Sequence, residues 1–287
     1  MGGDLRFEIK LLGYPLEHSI SPIFQKVALD SCGIEADYIA CPVSESMLPN
    51  EVQKIREDGC LGANVTIPYK EKIIPMLDTI DSVASKLGAV NTIVKQNDKL
   101  IGYNTDIFGF TKGLIEHGRF KPTGKKAMIF GAGGAARAAA FALANQNVDR
   151  MTIINRNYER ARLLSNELRN NGFSCYAQAL DYEDLQSVVE QSDLIVNSTP
   201  IGMGKHPEEN VSILTSNQLR RDIYVYDLVY SPIETPLIQQ AKAAGAKTLG
   251  GLPMLIYQGA SSFTMWTSCE APVELMFEAA NKTLNIK

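Results

Sequence analysis

No apolar stretch in this chain approaches the ~20 residues that a membrane span needs. Nothing in its 287 residues repeats at a fixed period or falls to low complexity. Excess positive charge is missing as well. A net charge of −4 leaves no broad basic surface, which argues against a nucleic-acid partner. Cysteine and histidine are sparse and dispersed: Cys32, Cys41, Cys60, Cys175 and Cys269 form no C-x-x-C pair, and His18, His117 and His206 lie far apart in the chain. That spacing fits neither a zinc site nor a disulfide framework, so no metal is expected and reduced thiols in a cytoplasm are the simplest account. The opening MGGDLRFEIK lacks the apolar core of a signal peptide, and Gly2-Gly3 reads as a cloning remnant. With 45% hydrophobic and 21% charged residues, the chain has the composition of a globular protein long enough for two domains.

What is present centres on Lys126 to Arg137, KAMIFGAGGAAR. Ala127 to Phe130 is a short apolar run of the kind that makes a buried parallel strand. It stops at Gly131-Ala132-Gly133-Gly134-Ala135-Ala136, after which Ala138 to Ala144 is rich in helix formers. Strand, glycine turn and helix match the dinucleotide fingerprint G-x-G-x-x-G/A, with Ala136 in the third position. Gly131 permits the turn, Gly133 removes a Cβ that would block a pyrophosphate, and the helix N-terminus faces the phosphates. The next strand, Arg150 to Asn155, ends where NAD binders carry an acid for the ribose hydroxyls. Here Asn155-Arg156-Asn157 is followed by Arg160. Arg156 and Arg160 suit a 2′-phosphate, so the expected cofactor is NADP, or NADPH when reduced.

Taken in order, residues 5–12 read as a strand leading to Ser19-Ile20-Ser21-Pro22, with Ser21 as N-cap of a helix that begins at Pro22. Two loop hydroxyls, on Ser19 and Ser21, are placed to grip a carboxylate together. A strand over 36–43 and a polar-faced helix over 45–57 precede Asn64-Val65-Thr66-Ile67-Pro68-Tyr69-Lys70. Alternation puts Asn64 and Thr66 on one face near the strand's C-terminal end. Pro68 is expected to open a helix whose dipole opposes a cation at Lys70 and lowers its pKa, as proton transfer requires. A lysine there also serves simple solubility, and both readings stand. Helix character runs from Thr79 to Leu87, a strand from Gly88 to Val94, and a turn at Asn97-Asp98 makes a hairpin with Leu100-Ile101. Thr105 then reads as an N-cap and Asp106 as a first-turn acid of a helix to His117 that connects the domains. From Lys125 to Lys247 strands near 127–130, 151–154, 174–178, 193–197, 223–228 and 246–248 alternate with helices, a doubly wound sheet. Beyond it come a long apolar helix to Trp266, in which Met254 and Tyr257 also serve core packing, and a last helix after Pro272.

Ser19 to Pro22, Asn64 to Lys70, Gly88 to Thr92, Asn104-Thr105-Asp106, Gly131 to Ala135, Asn155-Arg156, Ser198-Thr199-Pro200-Ile201-Gly202-Met203 and Gly251 to Met254, in this order, resemble the shikimate dehydrogenase family over nearly the full length. Phe24-Gln25, Ile107 and Asn157 depart from the family's usual His-Asn, Gly and Thr. The resemblance implies an α/β protein of two domains. Residues 1–110 form a substrate-binding, catalytic domain, 111–249 a Rossmann NADP-binding domain, and 250–287 helices returning to the first. It implies reversible NADPH-dependent reduction of 3-dehydroshikimate to shikimate in aromatic amino-acid (chorismate) biosynthesis. It assigns the substrate carboxylate to Ser19 and Ser21, and ring hydroxyls to Asn64, Thr66, Asn91, Asp106 and Gln258, with Tyr230 nearby. Lys70 and Asp106 form the catalytic pair. Gly131, Ala132, Gly133, Gly134, Ala135, Asn155, Arg156, Arg160, Ser198, Thr199, Leu228, Gly251 and Met254 fall to the cofactor. The implied protein is cytoplasmic, with a small-molecule substrate, a cleft that closes over both ligands, and room for a homodimer. Two rivals stay open: a quinate or dual quinate/shikimate dehydrogenase, which often prefers NAD, and a non-catalytic nucleotide-sensing protein on the same fold.

Overall fold

The computed structural model describes residues 7–181 and 184–285. Residues 5 and 6 of the expected first strand, and Gly2-Gly3, lie outside them. The chain divides into two units, Met1–Thr105 with Ile256–Lys287, and Asp106–Leu255.

The first unit is built from β1 (Phe7–Gly13), α1 (Ser21–Ser31), β2 (Ala36–Pro42), α2 (Leu48–Lys54), β3 (Cys60–Val65), β4 (Thr79–Ile80), α3 (Ser82–Leu87), β5 (Thr92–Gln96) and β6 (Lys99–Tyr103). Its six strands order β2-β1-β3-β5-β6-β4. β1 runs parallel to β2 and β3, whereas β5 is antiparallel to both β3 and β6. That mixture has a consequence for function. The ends of β1 and β3, the start of β5 and the end of β6 all fall on one edge of the sheet, as the pairs Leu12↔Val65, Asn64↔Thr92 and Thr92↔Tyr103 fix. Asn97 and Asp98, both left-handed at φ 48° and 64°, close the β5–β6 hairpin between Gln96 and Lys99. Two such residues are what a two-residue hairpin turn of matching twist demands.

The second unit holds α4 (Asp106–Lys112), β7 (Lys126–Phe130), α5 (Gly134–Asn145), β8 (Arg150–Asn155), α6 (Tyr158–Asn170), β9 (Cys175–Ala179), α7 (Leu185–Gln191), β10 (Leu194–Asn197), β11 (Tyr224–Asp227), α8 (Pro236–Ala243) and β12 (Lys247–Leu249). Its six strands are all parallel, in the order β12-β11-β10-β7-β8-β9. This is the doubly wound order, with its reversal between β7 and β10. Met128, Phe130, Ile154 and Ile195 are buried among the core side chains. The helix α4, read from sequence as a connector, belongs to this unit. α9 (Leu252–Thr267) follows, and α10 (Val273–Thr283) packs on α1 within the first unit.

Four local expectations need correction. Helix α1 starts at Ser21, not Pro22, so its N-cap is Ile20, which supplies no capping side chain, and the N–H of Ser21 donates to Ser19 Oγ at 3.3 Å. No helix opens at Pro68. The Lys70 carbonyl accepts from the Val90 N–H at 2.8 Å, and the buried Tyr69 donates its hydroxyl to the Val43 carbonyl, so tertiary bonds hold this segment as turns. Thr79 and Ile80 pair with Ile101 and Gly102 as strand β4, and Asp81 caps the shorter α3 through the Ala84 and Val83 amides. The strand expected from Gly88 begins at Thr92, because Gly88 is the left-handed C-cap of α3 at φ 58°. Sheet pairing and caps override propensity in each case.

Candidate active site

The edge described above gathers most of the substrate residues named from sequence. Ser19 and Ser21 follow β1, with Ser21 7% exposed. Thr66 and Lys70 follow β3, both partly exposed. Asn91 precedes β5 and is 2% exposed. Its Oδ1 accepts from the Thr105 N–H at 2.8 Å and from Thr92 Oγ1 at 2.9 Å. An N–H can only donate, so the Thr105 amide assigns the oxygen and leaves Nδ2 to donate to Thr105 Oγ1 (2.9 Å) and Gln258 Oε1 (3.3 Å). Asn64 faces inward: its Oδ1 accepts from the Tyr38 hydroxyl at 2.8 Å, and its Nδ2 donates to the Asn91 carbonyl at 3.0 Å. Its amide is a brace beneath Asn91. Lys70 sits in a turn, so the helix-dipole argument for it falls away. Asp106 is 4% exposed in the first turn of α4, directly after Thr105 in the chain.

In the second unit the fingerprint has the geometry an anion needs. Gly131 has φ +109°, a region that favours glycine, and a Cβ there would strike Ser198 Oγ. Gly133 is the N-cap of α5, and a Cβ added to it meets nothing within 4 Å. The first turn of α5 carries neither a side-chain cap nor an acidic residue, and Ala132, Gly134 and Ala135 beside it are partly exposed. Uncapped N–H groups at the start of a twelve-residue helix, with open space before them, fit a diphosphate. Ala136 is fully buried and keeps the helix close to the sheet.

At the end of β8, Asn155 Nδ2 donates to the Asn157 carbonyl, and Asn157 caps α6 through the Arg160 amide. Arg156 and Arg160 are exposed, and Arg156 Nη1 lies 3.6 Å from Glu208 Oε2. The one acid in the first turn, Glu159, is bound by the Arg162 guanidinium, which holds its carboxyl below the usual range. Ser198 Oγ donates to the Phe130 carbonyl, and both the N–H and hydroxyl of Thr199 donate to Asn197 Oδ1 at 2.9 and 2.7 Å. A Cβ on Gly251 would run into the Leu228 carbonyl, which gives that glycine a packing reason as well as an expected cofactor role. Met254 is 8% exposed. Tyr230, after β11, is partly exposed, and burial pushes its phenol up.

One buried acid that braces the loops at this sheet edge was missed in the sequence. Asp227, at the end of β11, is fully buried. Its carboxylate accepts from Asn197 Nδ2 at 2.9 Å, from the Val229 N–H at 3.1 Å and from Thr235 Oγ1 at 2.6 Å. It thus ties together the loops after β10 and β11 and the cap of α8. The signal was an acid ending the otherwise apolar run YVYD. Burial drives its pKa up to about 6 despite those bonds. A folded value above the unfolded one near 3.9 means that between about pH 4 and 6 native Asp227 holds a proton the unfolded chain has lost. Its contribution to stability is complete below pH ~4 and is lost as pH rises through about 6, a swing of at most ~3 kcal/mol. Urea midpoints measured from pH 4 to 7 should fall more steeply with pH in wild type than in Asp227→Asn. Parallel curves would contradict this reading.

All five cysteines are free thiols. Among the described residues no helix is long and apolar enough to cross a membrane, and no cluster of His, Cys, Asp or Glu is built to hold a metal.

A doubly wound parallel sheet, an uncapped glycine-rich helix start and basic residues at the second strand end define a dinucleotide-dependent dehydrogenase of the NADP type. Comparison with known proteins is specific. Family models match as the shikimate dehydrogenase substrate-binding domain at residues 11–93, shikimate/quinate 5-dehydrogenase at 116–230, and the shikimate 5′-dehydrogenase C-terminal domain at 251–280. The chain belongs to the shikimate dehydrogenase family. A shikimate dehydrogenase (NADP(+)) of Methanopyrus kandleri is 41% identical over 94% of this chain and 93% of its own. A shikimate dehydrogenase solved in complex with NADP+ superposes with a TM-score of 0.89 at 40% identity, covering 99% of this chain and 98% of that one. Another from Thermus thermophilus, solved with NADP(H) and shikimate, gives 0.86 at 35% identity over 97% and 100%.

Proposed function

We propose that this chain catalyses the reversible NADPH-dependent reduction of 3-dehydroshikimate to shikimate, an oxidoreductase step on a CH–OH group in aromatic amino-acid biosynthesis. The observation that carries the proposal is the convergence of Ser19, Ser21, Thr66, Lys70, Asn91 and Gln258 on one edge of the first sheet. This set has two hydroxyls for a carboxylate, two carboxamides for ring hydroxyls and one amine for a proton. It matches a small polyhydroxy acid that carries a ketone.

Bound NADPH would supply the hydride. Gly131 to Ala135 would take its diphosphate at the start of α5, and Arg156 and Arg160 its 2′-phosphate. Asn155, Ser198, Thr199, Leu228, Gly251 and Met254 would line the rest of its site. Ser19 and Ser21 orient the substrate by its carboxylate. Thr66, Asn91, Gln258 and Tyr230 hold the ring and its hydroxyls, with Asn64 bracing Asn91 from beneath. As charge develops on the ketone oxygen, Lys70 donates a proton to it, and it recovers that proton in the oxidative direction. Asp106 orients the ammonium and accepts from the neighbouring substrate hydroxyl. Hydride transfer needs donor and acceptor carbons within ~3–3.5 Å, which is why the ring must be held at several points at once. Free thiols throughout fit a reducing cytoplasm. The test is oxidation of shikimate by the purified protein with NADP, followed at the nicotinamide absorbance band. No turnover would dismiss the activity.

A further inference from the structure

Under the substrate-facing carboxamides lies a closed set of hydroxyls that the proposed mechanism leaves without a part. Ser262, fully buried on α9, is one helical turn beyond Gln258 and donates to the Gln258 carbonyl at 3.0 Å. Its Oγ lies 2.7 Å from Thr92 Oγ1 and 3.1 Å from Thr105 Oγ1, and those two are 3.4 Å apart. Asn64 Nδ2 approaches this triangle from one side, at 3.2 Å from both Thr92 Oγ1 and Ser262 Oγ. On the other side Thr92 and Thr105 meet the Asn91 carboxamide.

An all-polar cluster buried this deeply is costly unless each member is satisfied, and satisfied clusters hold their members in one arrangement. Here the arrangement reaches the substrate edge twice, through Asn91 by way of Thr92 and Thr105, and through the turn of α9 that carries Gln258. We infer that Ser262, acting with Thr92, is a positioning residue that fixes which ends of the Asn91 and Gln258 carboxamides are presented to the substrate's ring hydroxyls. Ser262 does not touch the reacting atoms. It sets the direction of groups that would hold them, and the inference rests on the activity proposed above.

Removing a positioning group should weaken recognition of the ring hydroxyls while leaving the proton donor and the cofactor site alone. For Ser262→Ala we expect KM for shikimate to rise about tenfold, kcat to stay within about twofold, and KM for NADP to be unchanged. Thr92→Val, which deletes another corner of the triangle, should act in the same direction and carries the test if Ser262→Ala does not fold. A purely structural role would not move substrate discrimination, so the decisive readout uses a shikimate analogue lacking the hydroxyl next to the reacting carbon. Wild type should strongly prefer shikimate by kcat/KM, and the variants should lose about tenfold of that preference. An unchanged preference in a folded variant, or loss of kcat together with both KM values, overturns the positioning role. A wild type inactive on shikimate overturns the activity and this role with it, whereas an active wild type with unaltered variants overturns the positioning role alone.

Discussion

Lys70→Ala lowers kcat for shikimate oxidation by at least ~10², the range for a general acid–base group, with KM for shikimate little changed. The structure explains why the variant should fold and report on chemistry. The backbone at Lys70 is held by its carbonyl's bond to Val90, and the neighbouring Tyr69 is anchored to Val43. Neither depends on the lysine side chain, which is partly exposed. Deleting the amine therefore removes a proton donor and leaves the turn in place. Ser19, Ser21, Asn91 and Gln258 still hold the carboxylate and ring, so ground-state binding should persist. Interactions made only in the transition state lower kcat and kcat/KM together. A loss confined to KM would recast Lys70 as a binding residue.

The second large effect concerns the cofactor. Arg156→Ala should raise KM for NADPH by about 10- to 100-fold and leave KM for NADH nearly unchanged. Charge-assisted bonds to a phosphate are worth ~1.5–3 kcal/mol, which sets that scale. Arg156 is two-thirds exposed and 3.6 Å from Glu208, so losing that weak surface pair should cost little stability. Glu159, the acid in the first turn of α6, is bound by Arg162. The end of β8 thus offers cations on the side where an NAD-specific site would offer a carboxylate. An unchanged NADPH/NADH preference in the variant would defeat the 2′-phosphate argument.

Much of this was legible in the residues themselves because local chemistry is decisive at those points. The stretch KAMIFGAGGAAR gives strand, turn and helix in sequence, and only glycine suits the φ of +109° at Gly131. The Asn97-Asp98 turn and Pro236 at the start of α8 are likewise local signals. Non-local bonds were invisible. Nothing near Pro68 announces that the Lys70 carbonyl will be claimed by Val90, so a helix and its dipole were inferred where the chain turns. Alternation places Asn64 on one face of β3, but nothing local shows that the hydroxyl of Tyr38, twenty-six residues away, will donate to its carbonyl oxygen. Ser262 and Asp227 drew no reading from the sequence. Both matter because sheet order brings distant hydroxyls and amides within hydrogen-bond reach of them.

The most direct measurement is a crossed absorbance assay of the purified protein, shikimate and quinate each with NADP and NAD. The highest kcat/KM should fall on shikimate with NADP, with quinate and NAD each much poorer. Preference for quinate with NAD, or cofactor binding with no turnover of either acid, would contradict the account.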